Sequence, residues 1–257
     1  ANFLNNAGLE TSNILGRVTG GNPSSIFGTI QTTGFENANL FLMNPAGIVF
    51  GPNAALNVGG SVSFTAADYL RLTDGARFNA IAGPQDAAIS SAPVAAFGFL
   101  GSNPAAIAVQ GSQLAVAEGQ GISLVGGNLT VQGGTLADTT IQPAQLSAPG
   151  GPINLIAVAS AGEVLTNAAS APADPTLNGF TLLGTISLTQ GADVHTSAHT
   201  AGRIVIRSGQ FTMENARLEA SATATAPTSP PSASSAGGIS VQADNVNLLH
   251  GSNVLTS

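Results

Sequence analysis

The sequence contains no cysteine, and this absence limits the chemistry that the chain can perform. Disulfide bonds, thiolate metal sites and a cysteine nucleophile are all excluded. A chain without cross-links also suits a protein that must cross a membrane while unfolded. Tryptophan is absent as well and there is a single tyrosine, which argues against strong stacking on sugar rings.

Charge is scarce: 7% of the residues are charged, with six basic and thirteen acidic side chains and a net charge of −7. An average soluble protein has roughly 25% charged residues. Asn, Gln, Ser and Thr must therefore keep the surface in water. No run of Lys or Arg occurs, so the sequence predicts neither nucleic-acid binding nor attraction to an anionic membrane.

Long apolar segments and helical patterns are also missing. No apolar stretch reaches the roughly 18 residues that a membrane helix needs, and no signal peptide is visible at Ala1. Apolar residues do not keep a helical spacing, because the 32 Gly and 14 Pro residues interrupt most windows. Alternation with a period of two is plentiful and predicts an all-β chain.

The alternating segments repeat along the chain. The apolar set Ile204, Ile206, Phe211, Met213 and Leu218 recurs at several places. The matching sets are Ile122, Leu124, Leu129, Val131 and Leu136; Ile186, Leu188 and Val194; and Ile239, Val241, Val246, Leu248 and Val254. Near the start, Leu40 and Leu42 recur as Val62 and Phe64. The unit is about 22–25 residues long, which is typical of a solenoid.

A unit of this size cannot bury its own apolar face, but stacked units can. Three short strands per unit predict a right-handed parallel β-helix, with residues 1–257 as one domain. The Gly- and Pro-rich region 73–111 breaks the rhythm and is interpreted as an insertion of strands or a hairpin on the wall of the helix. The segment 222–235 has the composition of a flexible exposed loop. We expect a monomer.

Several segments near the start carry a family resemblance. They resemble the secretion domain of filamentous-haemagglutinin-type two-partner secretion exoproteins, especially cyanobacterial ones. The resemblance is specific over residues 1–112 and generic beyond them. The segments are Arg17–Gly20, Asn22–Ser24, Phe27–Ile30, Ala38–Pro52, Val58–Ser61, Thr65–Asp68, Phe97–Gly98, Gly101–Pro104 and Val109–Ser112.

The resemblance implies a secretion motif at Asn44, Pro45, Ala46, Gly47 and Ile48, with Ala46 where the family often has Asn. A second motif corresponds to Asn5, Asn6, Gly8 and Leu9, with Asn6 in place of Pro. The family domain usually begins with some further capping residues, which are not seen before Ala1. The residues themselves predict a tight corner, because Asn can bond its own backbone, Pro fixes φ and Gly permits positive φ. Whether the motif contacts a partner or only shapes the fold stays open.

The resemblance also implies a function without a cofactor. The chain would be recognised in the periplasm by an outer-membrane transporter, and it would nucleate β-helix folding as a larger passenger is exported to the cell surface. Two alternatives remain open. One is an adhesin or glycan-binding surface of outward Asn, Ser and Thr side chains, and the other is a polysaccharide-active enzyme.

Candidate catalytic and metal-binding groups are weak. The densest charged patch is interpreted as surface ion pairs; it comprises Arg203, Arg207, Glu214, Arg217 and Glu219. Asp193, His195 and His199 have loose spacing and lack a third strong ligand for a metal. No catalytic residue and no metal site is predicted, and the chain is not expected to be an enzyme.

Overall fold

The chain forms a parallel β-helix with three walls. The computed structural model describes residues 1–84, 86, 89–166, 174–223 and 237–257, and its regular elements are strands. Each coil places one short strand in each wall, and neighbouring coils pair in parallel within a wall. In the described residues, no helix is long and apolar enough to cross a membrane.

The first wall begins most coils. Its strands run parallel in the order of the chain. The strands are β2 (Asn13–Arg17), β5 (Asn39–Met43), β8 (Val62–Thr65), β14 (Ile122–Gly126), β19 (Ile153–Ala157), β24 (Arg203–Glu214) and β26 (Gly238–Leu248). Only the first halves of β24 and β26 belong to this wall.

The second wall follows after a corner. The second halves of β24 and β26 complete it, since these two long strands pass the corner without a break. Its other strands are β3 (Ser24–Ile26), β6 (Ile48–Phe50), β12 (Ile107–Gln110), β15 (Leu129–Gln132) and β22 (Thr185–Thr189).

The third wall closes each coil and is a separate sheet of eight parallel strands. Its strands are β1 (Asn2–Leu4), β4 (Thr29–Thr33), β7 (Ala55–Asn57), β13 (Gln113–Ala115), β18 (Gln145–Ser147), β23 (Asp193–His195), β25 (Arg217–Ala220) and β27 (Asn253–Thr256).

The core consists of inward side chains stacked in register from coil to coil. In the first wall an apolar residue lies at the same position in seven successive strands: Ile14, Leu40, Val62, Ile122, Ile153, Ile204 and Ile239. The spacing predicted from Leu40 to Val62, and from Ile204 to Ile239, is therefore confirmed. Adjacent coils hide each other's apolar surface, which is the main stabilising term of such a stack.

One member of the predicted repeat is wrong. Leu136 was aligned with Leu218, but the residue in register in the third wall is Leu146, which pairs with Val194 and through it with Leu218. A small antiparallel hairpin is inserted before that strand, formed by β16 (Gly134–Thr135) and β17 (Ile141–Gln142). The third-wall strand of this coil therefore begins later in the sequence than the repeat predicts.

A further sheet, here called the lateral sheet, lies against the outer face of the first wall. It is antiparallel, in the order β10-β9-β11-β20-β21. Its strands are β9 (Tyr69–Leu72), β10 (Arg77–Asn79), β11 (Val94–Phe99), β20 (Gly162–Leu165) and β21 (Thr176–Asn178). Its inner side chains, such as Leu70 and Phe97, form a second buried cluster with Val125 and Ile156 of the wall.

The bounds proposed for the insertion need correction. The lateral sheet starts at Tyr69 rather than at residue 73, and 107–110 lie in the second wall, where Ile107 pairs with Ile48 and Leu129. The sheet also takes two strands from residues 162–178, beyond the range 73–111. Of the loop 222–235, the residues 224–235 lie outside the described part, whereas Ala222 forms a bridge with Ala198.

Polar side chains hold the lateral sheet together on its outer face. Arg71 Nη2 donates to Glu163 Oε2 at 2.9 Å, and the Tyr69 hydroxyl donates to Glu163 Oε1 at 2.8 Å. The Arg77 guanidinium lies 4.1 Å from the centre of the Tyr69 ring. The hydrogen bond from Arg71 holds the pKa of the Glu163 carboxyl below its ordinary value. One carboxylate thus links β9 to β20, which arrives from a later coil.

The last coil leaves its inward side chains in contact with solvent. Val246 is 50% exposed, Leu248 54% and Val254 46%, although each is in register with a buried residue of the preceding coil. Only one side of β26 and β27 is paired in the described structure. This face presents both an apolar surface and an unpaired strand edge.

We expect Glu163→Gln to lower the free energy of unfolding at neutral pH by about 1 kcal/mol, because the ion pair with Arg71 is only partly shielded from solvent. Because the pKa of the Glu163 carboxyl is lower in the folded chain than its ordinary value of 4.5, the ionised carboxyl stabilises the fold at pH values above 4.5. This contribution disappears as the pH falls through the pKa of the folded chain. The difference between wild type and variant should therefore vanish in acid. Urea unfolding across the pH range, with the exposed Glu118→Gln as control, measures it; a difference that persists in acid would contradict the assignment.

Candidate functional site

The segment from Asn44 to Gly47 forms the corner between the first and second walls in an early coil. Gly47 N–H donates to the Asn44 carbonyl at 2.9 Å, which closes a four-residue turn. Asn at the first position, Pro at the second and Gly at the fourth are the preferences of a type I turn. Ala46 takes the third position, where this turn accepts most residues, and its φ is not positive.

The Asn44 side chain is fully engaged within the fold. It is 1% exposed. Its Nδ2 donates to the Asn22 carbonyl at 3.0 Å and to Ser24 Oγ at 2.8 Å, and its Oδ1 accepts from Ala46 N–H at 3.0 Å. Its own backbone N–H donates to the Thr65 carbonyl at 2.9 Å. One residue therefore bonds the preceding coil, its own turn and the following coil.

Gly47 is the point of closest approach in this corner. Its φ is +104°, and a Cβ atom there would lie 2.8 Å from the Ala106 carbonyl oxygen. Ala106 is where the chain returns from the inserted strands to the second wall, and its carbonyl accepts from Ile48 N–H at 3.2 Å. The corner is thus packed between two neighbours, one in the preceding coil and one at the end of the insertion.

The second predicted motif lies at a different corner, between the third wall and the first. Asn5 Nδ2 donates to the carbonyls of Leu9 and Gly34 at 2.8 and 3.0 Å, and Leu9 N–H donates back to Asn5 Oδ1 at 3.1 Å. Gly8 has a φ of +62°. Leu9 is 68% exposed, and Asn6 is exposed as well.

A shallow groove of about 520 Å³ lies beside this second motif, between the loop of residues 5–12 and the equivalent loop of the next coil, 34–37. Glu10 and Glu36 line it together with Asn5 and Asn37. The structure does not bring the two motifs together: among the described residues, no hydrogen bond joins Asn44–Ile48 to Asn5–Leu9.

Sequence reasoning missed the partners of the Asn44 corner. Asn22 and Ser24 belong to a segment that resembles the family, but nothing in their spacing showed that they accept hydrogen bonds from Asn44. The contact with Ala106 had no signal in the sequence, because the insertion separates it from Gly47. The register of the coils is what reveals both.

The charged patch is arranged differently from the expectation. Arg203 and Arg207 both bind Asp174, at 3.0 and 3.1 Å, and Arg207 is buried. Arg217 pairs with Glu219, as a surface pair would. The interpretation as surface residues is therefore wrong for Arg207, which is buried beneath Asp174 and Ser240, whereas Arg203 forms a partly exposed ion pair.

The histidine region contains a close contact between a histidine and a carboxylate. His195 Nδ1 lies 3.2 Å from Asp193 Oδ2, and this contact is the main reason that the pKa of the Asp193 carboxyl is lowered. The register places Glu219 beside His195 on the next strand. In the part of the chain that the structure describes, no cluster of three or more His, Asp or Glu side chains could hold a metal ion.

Replacing Gly47 by Ala should cost about 1–3 kcal/mol of stability, because the new Cβ meets the Ala106 carbonyl at an unfavourable φ. Gly20→Ala is the matched control, since no atom lies within 4 Å of a Cβ there and its φ is ordinary. Urea denaturation of both variants provides the comparison. Equal stability of the two would show that this corner is not tightly packed.

Comparison with known proteins identifies the family of this chain. A family model described as the TPS secretion domain matches residues 1–210. A crystal structure of a filamentous hemagglutinin secretion domain aligns with a TM-score of 0.40 and 15% identity, over 96% of this chain and 75% of that chain. No curated protein matches the chain. Because the family model spans most of the sequence, it confirms the family predicted from the motif residues. The chain belongs to the TPS secretion domain family, the secretion domains of two-partner secretion exoproteins.

Proposed function

We propose that this secretion domain is recognised in the periplasm by an outer-membrane transporter, and that its early coils nucleate β-helix folding as a larger passenger is exported. In this proposal the two motifs have separate tasks. The corner at Asn44–Ile48 builds the fold, and the loop at Asn5–Leu9 contacts the transporter. The observation that carries the proposal is the complete burial of the Asn44 side chain.

The task of the corner follows from its hydrogen bonds. Every polar group of the Asn44 side chain has a partner in the fold, so none is left for a transporter once the coils have formed. Removing a buried partner costs more than the net value of a hydrogen bond, because the groups left behind are desolvated. The corner therefore supports secretion by making three successive coils stack.

The task of the loop follows from its exposure. Leu9 and Asn6 do not pack into the helix. Their side chains are free for a partner whether the chain is extended or folded. An exposed leucine flanked by polar groups is suited to a small contact of modest affinity.

The stacking of the coils supports the nucleation part of the proposal. Inward residues such as Leu124 and Leu155 are fully buried because coils on both sides cover them. Each added coil would bury apolar surface and pair its backbone, so folding outside the cell would favour outward movement of the chain.

Asn44→Ala should reduce export while leaving recognition of the unfolded chain unchanged. We expect a loss of about 2–3 kcal/mol in stability, because three buried hydrogen-bonding groups lose their partner. Export is measured as the chain released from cells that carry the transporter, and recognition as binding of the urea-unfolded chain to the isolated periplasmic domains. Ala46→Asn, which restores the common family residue, is the control and should leave both unchanged. Weaker binding of unfolded Asn44→Ala would show direct contact instead, and normal export after deletion of Asn44–Gly47 would refute a role for the corner.

Leu9→Asp should reduce export and binding to the periplasmic domains while leaving the unfolding free energy unchanged. Leu100→Asp is the matched control, because Leu100 is 67% exposed and Leu9 is 68% exposed, but Leu100 lies at the end of β11. The readouts are released chain, binding to the periplasmic domains and urea denaturation. Equal export of the two variants would exclude the loop as the contact.

A further inference from the structure

We propose that the outer face of the first wall carries a binding groove for a neutral oligosaccharide. The groove has a volume of about 580 Å³ and runs along the helix axis beside the lateral sheet. It adjoins the groove beside the Asn5–Leu9 loop, with which it shares Ser12 and Asn39 as lining residues, and it requires no transporter.

The floor of the groove is a column of outward side chains, one from each coil. The register places five residues in line: Phe41, Ser63, Ser123, Asn154 and Val205. The polar side chains Ser63, Ser123 and Asn154 form its centre, and Val205 at one end is buried. With strands about 4.8 Å apart, the column is about 19 Å long. Asn13 and Asn39 form a second, parallel column at one end.

The polar groups of the floor are already oriented by one another. Asn154 Nδ2 donates to Ser123 Oγ at 3.0 Å, and Asn39 Nδ2 donates to Asn13 Oδ1 at 3.1 Å. Asn154 Oδ1 and Ser63 Oγ have no partner in the described part of the chain. The floor therefore offers fixed donors and acceptors, so that a ligand would not have to order them.

The side wall of the groove is apolar. Pro93, Val94 and Phe97 from the region of β11, and Val164 from β20, line it. A sugar ring has hydroxyl groups at its rim and carbon–hydrogen faces, which match a polar floor and an apolar side. Among the described residues that line the groove, the only charged ones are Asp174 and Arg203, which pair with each other, so the groove favours a neutral ligand.

The periodicity distinguishes a sugar chain from a peptide. The floor repeats once per coil, at about 4.8 Å, whereas an extended peptide advances about 3.3 Å per residue. A pyranose ring that is linked through opposite ring carbons spans roughly the 4.8 Å between neighbouring coils. A peptide would also need a free strand edge, but β11 and β20 are both interior strands of the lateral sheet. Among its described lining residues the groove has one carboxylate, Asp174, which pairs with two arginines. Glycoside hydrolysis commonly uses a pair of carboxyl groups. The groove is therefore suited to binding a saccharide.

The test compares Ser63→Trp, which fills the middle of the floor, with Ser187→Trp on the outer face of the second wall. The full chain is titrated calorimetrically with cellohexaose, maltohexaose, a hexasaccharide of uronic acid and an extended octapeptide. We expect one neutral hexasaccharide to bind with a Kd of about 1 mM or below, since the site lacks tryptophan for stacking. Ser63→Trp should weaken that binding at least about tenfold, and Ser187→Trp should leave it within about twofold.

Thermal denaturation confirms that both variants fold, and Asn154→Ala provides a milder second variant that should weaken binding without filling the groove. The proposal is overturned if no neutral saccharide binds in this range, or if Ser63→Trp and Asn154→Ala bind as wild type. Stronger binding of the uronate or of the octapeptide, abolished by Ser63→Trp, would equally overturn it, since the groove would then serve a different ligand.

Discussion

Parallel backbone pairing between successive coils is the constraint on which the rest of this structure depends. It fixes the register, and the register places like side chains above one another, as in the column from Ile14 to Ile239. The same pairing brings coil corners so close that only Gly fits at some of them, as at Gly47. The outward polar residues become a regular surface for the same reason, so the core, the corner and the groove have one origin.

The corner between the first and second walls is where the register of the coils must be kept across long insertions. The lateral strands β9, β10 and β11 follow the first-wall strand β8, and β20 and β21 follow β19, so both insertions leave the helix at this corner. The Asn44 turn lies in the same column, directly before the first of them, and it contacts the residue at which that insertion returns. A tight turn with fully bonded side chains at this position sets the coil to which the returning chain must pair.

Much of this fold could be predicted from the sequence, because inward positions repeat and stacking leaves few alternatives. Ile204, Ile206, Phe211 and Met213 were matched correctly with later strands, and the turn at Asn44–Gly47 was recognised from its residue types. Leu136 was misplaced because a hairpin is inserted ahead of Leu146, and a spacing rule cannot detect an insertion that carries an apolar residue at the expected position. The partners of Asn44 were missed because they lie in the preceding coil, where only the register reveals them. Asp174, the partner of Arg203 and Arg207, was missed because it lies in the segment before β21 of the lateral sheet.

The order of strands in the lateral sheet has a kinetic consequence. β11 lies between β9 and β20, and the Tyr69–Glu163 contact spans 94 residues of sequence. A chain that emerges from its N-terminus forms β9–β11 first, and these strands keep an open edge until β20 appears. Such long-range closure is slow compared with the addition of local contacts. Folding of the lateral sheet would therefore pause after β11. The pause would last until the intervening coils and β20 have become available.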